Sequence, residues 1–461
     1  MSKKEKGPAE LQDFLLATLN RRAPSSEEWG TYEVSASNKV IMSKIKYVLL
    51  TGITTFDEVS GGFPFGRIVE YIGLENSGKT AMAIRAAVRA REGCISEVIL
   101  NPDNTLTYRP LDPDEYEVAV LYIDNEGSLD EGNKLVVDGK KLDVITGRCD
   151  TIEGVFKMTN DFLDGAEASA EASAEAARKA GKQPKLQFLV IIVDTIASTS
   201  SREELALAWG KRDFPRVPGE ISKGFSRIVR RLSVMNACMI CTNQVRTKFQ
   251  QGAPVAGGRG GGAPQSWQFS SPGGYALKFY TTHRIFVQSL ASKYKLVPDA
   301  KFPAGLLIAF HSVKNRLRPQ DRDGRMVLLY DKDQGGLNDQ FSLLENLVFT
   351  GFIEVGNKDK GTDFLCKFNK NGIIPTTFGD AQVKTTLDED DDASSPTTPR
   401  RGSRKDPGFK FRAEWPKFYA DHKADIERLW QAAVEFTFET RGLDGIVLDD
   451  EEGLEPVAEE I

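Results

Sequence analysis

One stretch, Gly73-Leu74-Glu75-Asn76-Ser77-Gly78-Lys79-Thr80, constrains this chain more than any other. It follows the mostly apolar run Ile68 to Ile72 and precedes Ala81-Met82-Ala83-Ile84-Arg85-Ala86-Ala87. The order predicts a strand, a glycine-rich turn and a helix. Spacing of the form G-x-x-x-x-G-K-T lines backbone N–H groups and the positive end of a helix around a phosphate. Gly73, Glu75, Asn76, Ser77 and Gly78 form that cradle. Lys79 supplies an ammonium for the β/γ-oxygens of a nucleotide, and Thr80 supplies a hydroxyl for its Mg²⁺.

Around this turn, strand-like and helix-like segments alternate from Leu49 to about Asp331. Val118 to Asp124 reads as a strand with Asn125 to Asp130 as the loop at its carboxyl end, and a helix follows near Ile152 to Asp164. Gln187 to Asp194 is a continuous apolar strand of the kind buried on both faces of a parallel sheet. Helices near Glu203 to Trp209 and Ile221 to Met235 come next, and Ala237 to Thr242 is a strand that ends at Asn243-Gln244. The pattern predicts an α/β doubly wound, mostly parallel sheet, whose ligands collect at the carboxyl ends of its strands. Thr105 to Tyr116, polar and proline-bearing, and the low-complexity Ala166 to Lys182 look inserted; the latter favours an exposed helix or disorder.

Two acids stand where chemistry is expected. Asp194, ending an apolar strand, can hold the water shell of the Mg²⁺ that Thr80 touches. Hydrolysis needs a further carboxylate to orient and deprotonate water, and Glu126, on a loop after a strand of the same sheet, is placed for it.

The longest apolar runs, Val118 to Ile123 and Phe188 to Val193, are too short to cross a bilayer. The polar start Met1 to Lys6 predicts no signal peptide, and the expected location is cytoplasmic, away from membranes. Five cysteines, Cys94, Cys149, Cys238, Cys241 and Cys366, show no disulfide framework. Cys238 and Cys241 share a C-x-x-C spacing, but on one strand they point to opposite faces and read as core packing.

The net charge of −6 counts against nucleic acid until its distribution is considered. Eight acids crowd the stretch 442–461 without a base, and Asp388 to Asp392 adds five more; without those thirteen the remainder is +7. A weakly basic body with separate acidic segments suits DNA binding, with the tail competing for the basic surface. Between Gln244 and Ala276 runs a long loop with Arg246, Lys248, Phe249, Arg259, Trp267, Phe269, Gly273 and Gly274. Sparse bases and aromatics on a glycine-rich backbone are what a single-stranded nucleic-acid contact uses. The shorter loop 211–219, with Arg212 and Arg216, has the same character.

Six motifs in order then carry a resemblance. Gly66-Arg67-Ile68-Val69-Glu70 leading into Gly73 to Thr80, Ile123-Asp124-Asn125-Glu126, Val193-Asp194-Thr195, Asn243-Gln244-Val245-Arg246, Gly273-Gly274-Tyr275-Ala276-Leu277-Lys278-Phe279-Tyr280 and Val313-Lys314-Asn315-Arg316 resemble the bacterial RecA recombinases, a bacteriophage version included. The likeness runs from about Leu49 to Tyr330. It implies Glu126 as the catalytic glutamate, Asp130 near the adenine, and Gln244 as the group that senses the γ-phosphate. The loops 209–219 and 246–274 would be the two DNA-binding loops. Lys314 and Arg316, the latter where the family has Lys, would reach the neighbouring subunit's nucleotide, with Phe279 at the same interface.

These readings predict a RecA-type P-loop ATPase core over 49–335. An N-terminal arm at 1–48, a candidate oligomerisation segment, precedes it; a small unit at 336–384, a linker at 385–408, and a helix with an acidic tail at 409–461 follow. The expected function is ATP- and Mg²⁺-dependent filament formation on single-stranded DNA, with pairing and strand exchange on homologous duplex DNA. Single-strand-binding and loading proteins would be further partners. A hexameric helicase on the same fold, or a non-motor ATP-binding protein that coats DNA, remain the alternatives.

Overall fold

A computed structural model describes residues 45–101, 106–127, 129, 136–137, 140–141, 144–206, 217–245, 274–294, 303–330, 336–350, 353–355, 364–366, 415–417, 419–420 and 423–441. Strand β1 (Tyr47–Leu49) leads through helix α1 (Thr54–Ser60) and β2 (Phe63–Pro64) to β3 (Ile68–Gly73), which runs into α2 (Lys79–Arg91). Strands β4 (Ile95–Leu100), β5 (Leu106–Pro110), β6 (Tyr116–Asp124) and β7 (Ile145–Gly147) come next, then the long helix α3 (Ile152–Lys179). After β8 (Leu186–Asp194) follow α4 (Arg202–Ala206), α5 (Val217–Val234) and β9 (Ala237–Gln244). Later elements include α6 (Gly274–Tyr280), β10 (His283–Tyr294), β11 (Gly305–Lys314), β12 (Asp323–Leu329), β13 (Gly336–Asn338), α7 (Asp339–Thr350) and α8 (Lys423–Arg441).

A nine-stranded sheet in the order β13-β12-β11-β10-β3-β9-β8-β6-β7 forms the centre. From β10 across to β7 all neighbours are parallel, while β10 to β13 form an antiparallel flank. This is the expected mixed α/β architecture with a mostly parallel sheet. Strand β8 lies in the middle of the parallel part, which explains its unbroken apolar run: Phe188 to Val193 are all fully buried.

Alternation along the strands divides the core in two. On one face Val69, Tyr71, Val120, Tyr122, Val190, Ile192, Cys238 and Ile240 pack against Phe56 of α1 and Met82, Ala83, Ala86 and Ala87 of α2. On the other, Leu121, Ile123, Ile191, Val193, Met239 and Cys241 pack against Val155 and Phe156 of α3 and Ile221, Phe225 and Ile228 of α5. Cys238 and Cys241 thus sit in opposite layers as free, buried thiols. Each large aliphatic side chain buried here contributes roughly 1.5–3 kcal/mol.

The low-complexity run from Ala166 takes the exposed-helix alternative: it continues the helix read near Ile152 to Asp164 as far as Lys179, since Ala and Glu have high helix propensity even with their side chains exposed. One stretch differs from the sequence reading. Leu106–Pro110, inside the polar stretch read as an insertion, pairs with β4 as the outer strand of a second, antiparallel sheet, β2-β1-β4-β5. At the far flank, α7 packs Phe341, Leu344 and Leu347 with Val327 and Leu329 of β12, and Ile426, Leu429 and Trp430 of α8 join the same cluster. The indole N–H of Trp415 donates to the Gln340 carbonyl at 2.8 Å.

Candidate nucleotide site at the carboxyl ends of the strands

Strand β3 ends at Gly73, and the chain turns through Asn76 (φ 55°) and Gly78 (φ 90°) into α2. Gly73 has no room for a side chain: an added Cβ would lie 2.3 Å from the Val287 carbonyl oxygen of β10. The first turn of α2 has no side-chain cap, so its amides are left to accept an anion from outside the helix. The Lys79 ammonium folds back on the loop, donating to the carbonyls of Leu74 at 2.6 Å and Gly73 at 3.1 Å. Burial lowers its pKa, and Glu126, Asp194 and Glu75 oppose that shift. A desolvated ammonium beside uncapped helix amides is what a polyphosphate neutralises.

The neighbouring strands bring the two acids. Strands β6 and β8 are paired through Asp124 opposite Asp194, and the amides of Asn125 and Glu126 both donate to the Asp194 carbonyl. Asp124 holds the turn beyond them, accepting from the amides of Gly127 and Leu129, each at 2.9 Å. Glu126 is therefore presented on a braced loop. Its carboxyl is pushed above the ordinary range by burial and by the nearby Asp194, while the Gln244 hydrogen bond and Lys79 act in the opposite direction. Asp194 is 1% exposed. Tyr122 donates to its Oδ2 at 2.9 Å and Thr242 to its Oδ1 at 2.5 Å.

Gln244 ends β9, and its Nε2 donates to Glu126 Oε1 at 3.2 Å. The next amide, Val245, donates to the Gly73 carbonyl at 3.3 Å, the same oxygen that Lys79 holds. The fold thus brings Gly73, Lys79, Glu126, Asp194 and Gln244 to one crevice. Glu75, Asn76, Ser77, Gly78 and Thr80 stand on the same turn and helix start.

Lys314 and Arg316 are not part of that crevice. Arg284 on β10 pairs with both Glu70 of β3 and Lys314 of β11, which sets Lys314 level with Glu70. Glu70 precedes Gly73 by three residues, about 10 Å along a strand. Lys314 instead donates to the carbonyls of Lys278 at 2.9 Å and Phe279 at 3.3 Å, at the carboxyl end of α6. Arg316 is exposed and close enough to Arg67 to lower its pKa, after burial, which is the larger cause. Phe279 beside them is 75% exposed. Gly274 begins α6. Asp130, Arg212, Arg216, Arg246, Lys248, Phe249, Arg259, Trp267, Phe269 and Gly273 lie outside the described residues.

Several residues around the crevice escaped the sequence reading. Tyr122 and Thr242 look like ordinary members of apolar strands, and only the cross-strand register reveals their common partner. Beneath Gln244, Asn243 donates to Glu70 at 2.8 Å and Arg284 to the same carboxylate at 2.6 Å, a fully buried group. A charge inside the otherwise apolar β3 was the signal that could have exposed this network.

The crevice fits a nucleotide with its divalent cation. The phosphates would meet the loop amides and Lys79, and the Thr80 hydroxyl and the Asp194 carboxylate would face the ion. No group of three or more acidic, histidine or cysteine side chains among the described residues could hold a metal by itself. Thr80 and Asp194 offer oxygen donors, the type that suits Mg²⁺. No helix among the described residues is long and apolar enough to cross a membrane.

No family model matches the chain. Among curated proteins it is similar to Protein RecA of Thermotoga maritima, 26% identical over 311 residues that cover 67% of this chain and 69% of the relative. Protein RecA of Thermus aquaticus is 25% identical over 64% of this chain and 68% of its own length. Protein RecA of Marinobacter nauticus is 24% identical over 71% of this chain and 79% of its own. This distant similarity, together with the mostly parallel sheet, supports a RecA-like family for the chain.

Proposed function

We propose that this chain is a DNA-dependent ATPase of the recombinase type, which forms filaments on single-stranded DNA and promotes pairing and strand exchange with homologous duplex. The distant similarity to RecA proteins supports a recombination-type role. One observation carries the coupling: Gln244 touches Glu126 while the next residue, Val245, is bonded to the phosphate loop and opens the stretch 246–273. A γ-phosphate entering between Lys79 and Glu126 competes for the Gln244 amide. Strand β9 then passes the change into the residues that follow, so that ATP and DNA strengthen each other's binding.

In this reading Glu126 orients and deprotonates the attacking water, and its raised pKa suits a general base. Lys79 holds the β/γ-phosphates. When bound, Mg²⁺ neutralises charge on the phosphate oxygens, with Thr80 and Asp194 on its side of the crevice. Lys314 and Arg316, remote from their own chain's phosphate loop, serve the nucleotide of a stacked neighbour, so that turnover reports assembly. Asp130 would lie near the adenine. Arg212, Arg216, Arg246, Lys248, Phe249, Arg259, Trp267, Phe269, Gly273 and Gly274 belong to the proposed DNA contacts.

The test is ATP hydrolysis by the parent chain and by Glu126→Gln, each with and without single-stranded DNA. DNA should stimulate the parent, and the substitution should lower turnover by about 10²–10⁴-fold with DNA binding intact. Turnover that ignores DNA would overturn the loop assignments and favour a non-motor ATP-binding role.

A further inference from the structure

Strands β6 and β9 flank β8 on either side, and each sends one hydroxyl to the same carboxylate. Tyr122 is paired with Ile192, two residues before Asp194, and Thr242 lies one step past the Val193–Cys241 pair. Both side chains are fully buried. The Tyr122 ring is fully buried in the same apolar cluster as Val120, Val190 and Ile192, and its hydroxyl ends on Asp194 Oδ2. Thr242 is braced as well, because its carbonyl accepts from the Thr195 hydroxyl at 2.7 Å. Phenylalanine and valine would fill the same volumes in these apolar strands; hydroxyls occur where they meet Asp194.

A carboxylate oxygen offers two lone-pair directions, so one hydroxyl on each oxygen leaves each with a second. Asp194 interacts electrostatically with both Lys79 and Glu126, which sets it against the crevice and not only in the core. The terminal torsion of an aspartate is broad when nothing fixes it. Two donors from opposite sides fix it.

We propose that Tyr122 and Thr242 are positioning residues that hold the Asp194 carboxylate in the one orientation in which its free lone pairs meet the water shell of a nucleotide-bound Mg²⁺. The inference rests on the nucleotide-site reading above and goes beyond it by assigning the metal response to two hydroxyls outside the phosphate loop. Removing a partner that orients a metal-side ligand lowers metal affinity by about 10–100-fold. Hydroxyls that merely satisfy a buried acid would instead affect fold stability, and nucleotide binding with and without Mg²⁺ alike.

The experiment is a Mg²⁺ titration of fluorescent N-methylanthraniloyl-ATP binding to the full chain and to Tyr122→Phe, Thr242→Val and Thr242→Ser, with binding in EDTA measured in parallel. Tyr122→Phe and Thr242→Val should raise the half-saturating Mg²⁺ concentration about tenfold, with binding in EDTA unchanged. Thr242→Ser, which keeps the hydroxyl, should stay near the parent. Should Thr242→Val not fold, Thr242→Cys, a poorer donor of similar size, carries the same expectation. A midpoint within about twofold of the parent in the folded variants, or an equal loss with and without Mg²⁺, would overturn the assignment, since an oriented ligand is worth more than that. A parent that binds no nucleotide at saturating Mg²⁺ would instead remove the reading on which it rests.

Discussion

Two lysines end on backbone carbonyls in this structure, in opposite electrostatic settings. Lys79 donates to its own loop, and its ionic neighbours are Glu126, Asp194 and Glu75. Lys314 donates to the end of α6, and after burial the main influences on it are the cations Arg316 and Arg284, with Glu70 opposing them. Both ammoniums have lowered pKa values, yet for different reasons. At the phosphate loop, burial is partly offset by acids, which on the proposed reading leaves the ammonium to a nucleotide that brings its own Mg²⁺. At the α6 corner burial and like charge act together, and an incoming phosphate would relieve the repulsion. The first corner sets its cation among acids, and the second gathers Lys314, Arg316 and Arg284 around one carboxylate, Glu70, to which Arg284 donates.

The largest effect that separates them is on turnover. On the proposed reading Lys314→Ala should reduce DNA-stimulated ATP hydrolysis by about a thousandfold, as loss of a cation supplied in trans does elsewhere. Nucleotide binding by the unassembled chain should be unchanged. Turnover close to the parent's would show that Lys314 only caps α6, and the comparison would fail. Next in size, Lys79→Ala should weaken nucleotide binding itself by about a hundredfold, roughly 3 kcal/mol for a lost charge-assisted contact. Equilibrium binding without DNA reads this directly.

How much of this contrast was legible in the sequence depends on the range of the interactions. The phosphate loop is contiguous: a strand, eight residues and a helix, each with a local signal, and the structure has β3 and α2 where Ile68 to Ile72 and Ala81 to Ala87 suggested them. The same holds for β8, whose apolar run and terminal Asp194 are contiguous. What periodicity could not give is neighbourhood. Nothing local says that β10 lies beside β3 or that β11 turns back against it, and so nothing local brings Lys314 to the carbonyls of Lys278 and Phe279. The resemblance to the recombinases singled out Lys314 and Arg316 without saying what they touch. The hydroxyls on Asp194 were hidden for the same reason: Tyr122 and Thr242 are 120 residues apart, and only the pairing of three strands brings them together. Leu106–Pro110 shows the reverse failure, since a polar, proline-bearing edge strand lacks the pattern that identifies a buried one.

A smaller effect sharpens the comparison through pH. Burial lowers the Lys79 pKa below 10.5, so the folded chain releases that proton more readily than the unfolded chain does. The sign follows: the cost of burying the charged ammonium is present at neutral pH and disappears as pH rises through the lowered value toward 10.5, so this group makes folding relatively more favourable in alkali. Nucleotide binding moves the other way, because a neutral amine no longer attracts phosphate. Affinity measured without DNA should therefore decline at a pH lower than an ordinary lysine would produce, by less than Lys79→Ala costs as long as part of the ammonium survives. Lys314 is also lowered, yet it does not face its own chain's phosphate loop. The parent and Lys314→Ala should accordingly lose affinity along the same pH curve. If Lys314→Ala flattens that curve, the two corners share one nucleotide within a single chain, and the division between a binding lysine and an assembly-dependent one is wrong.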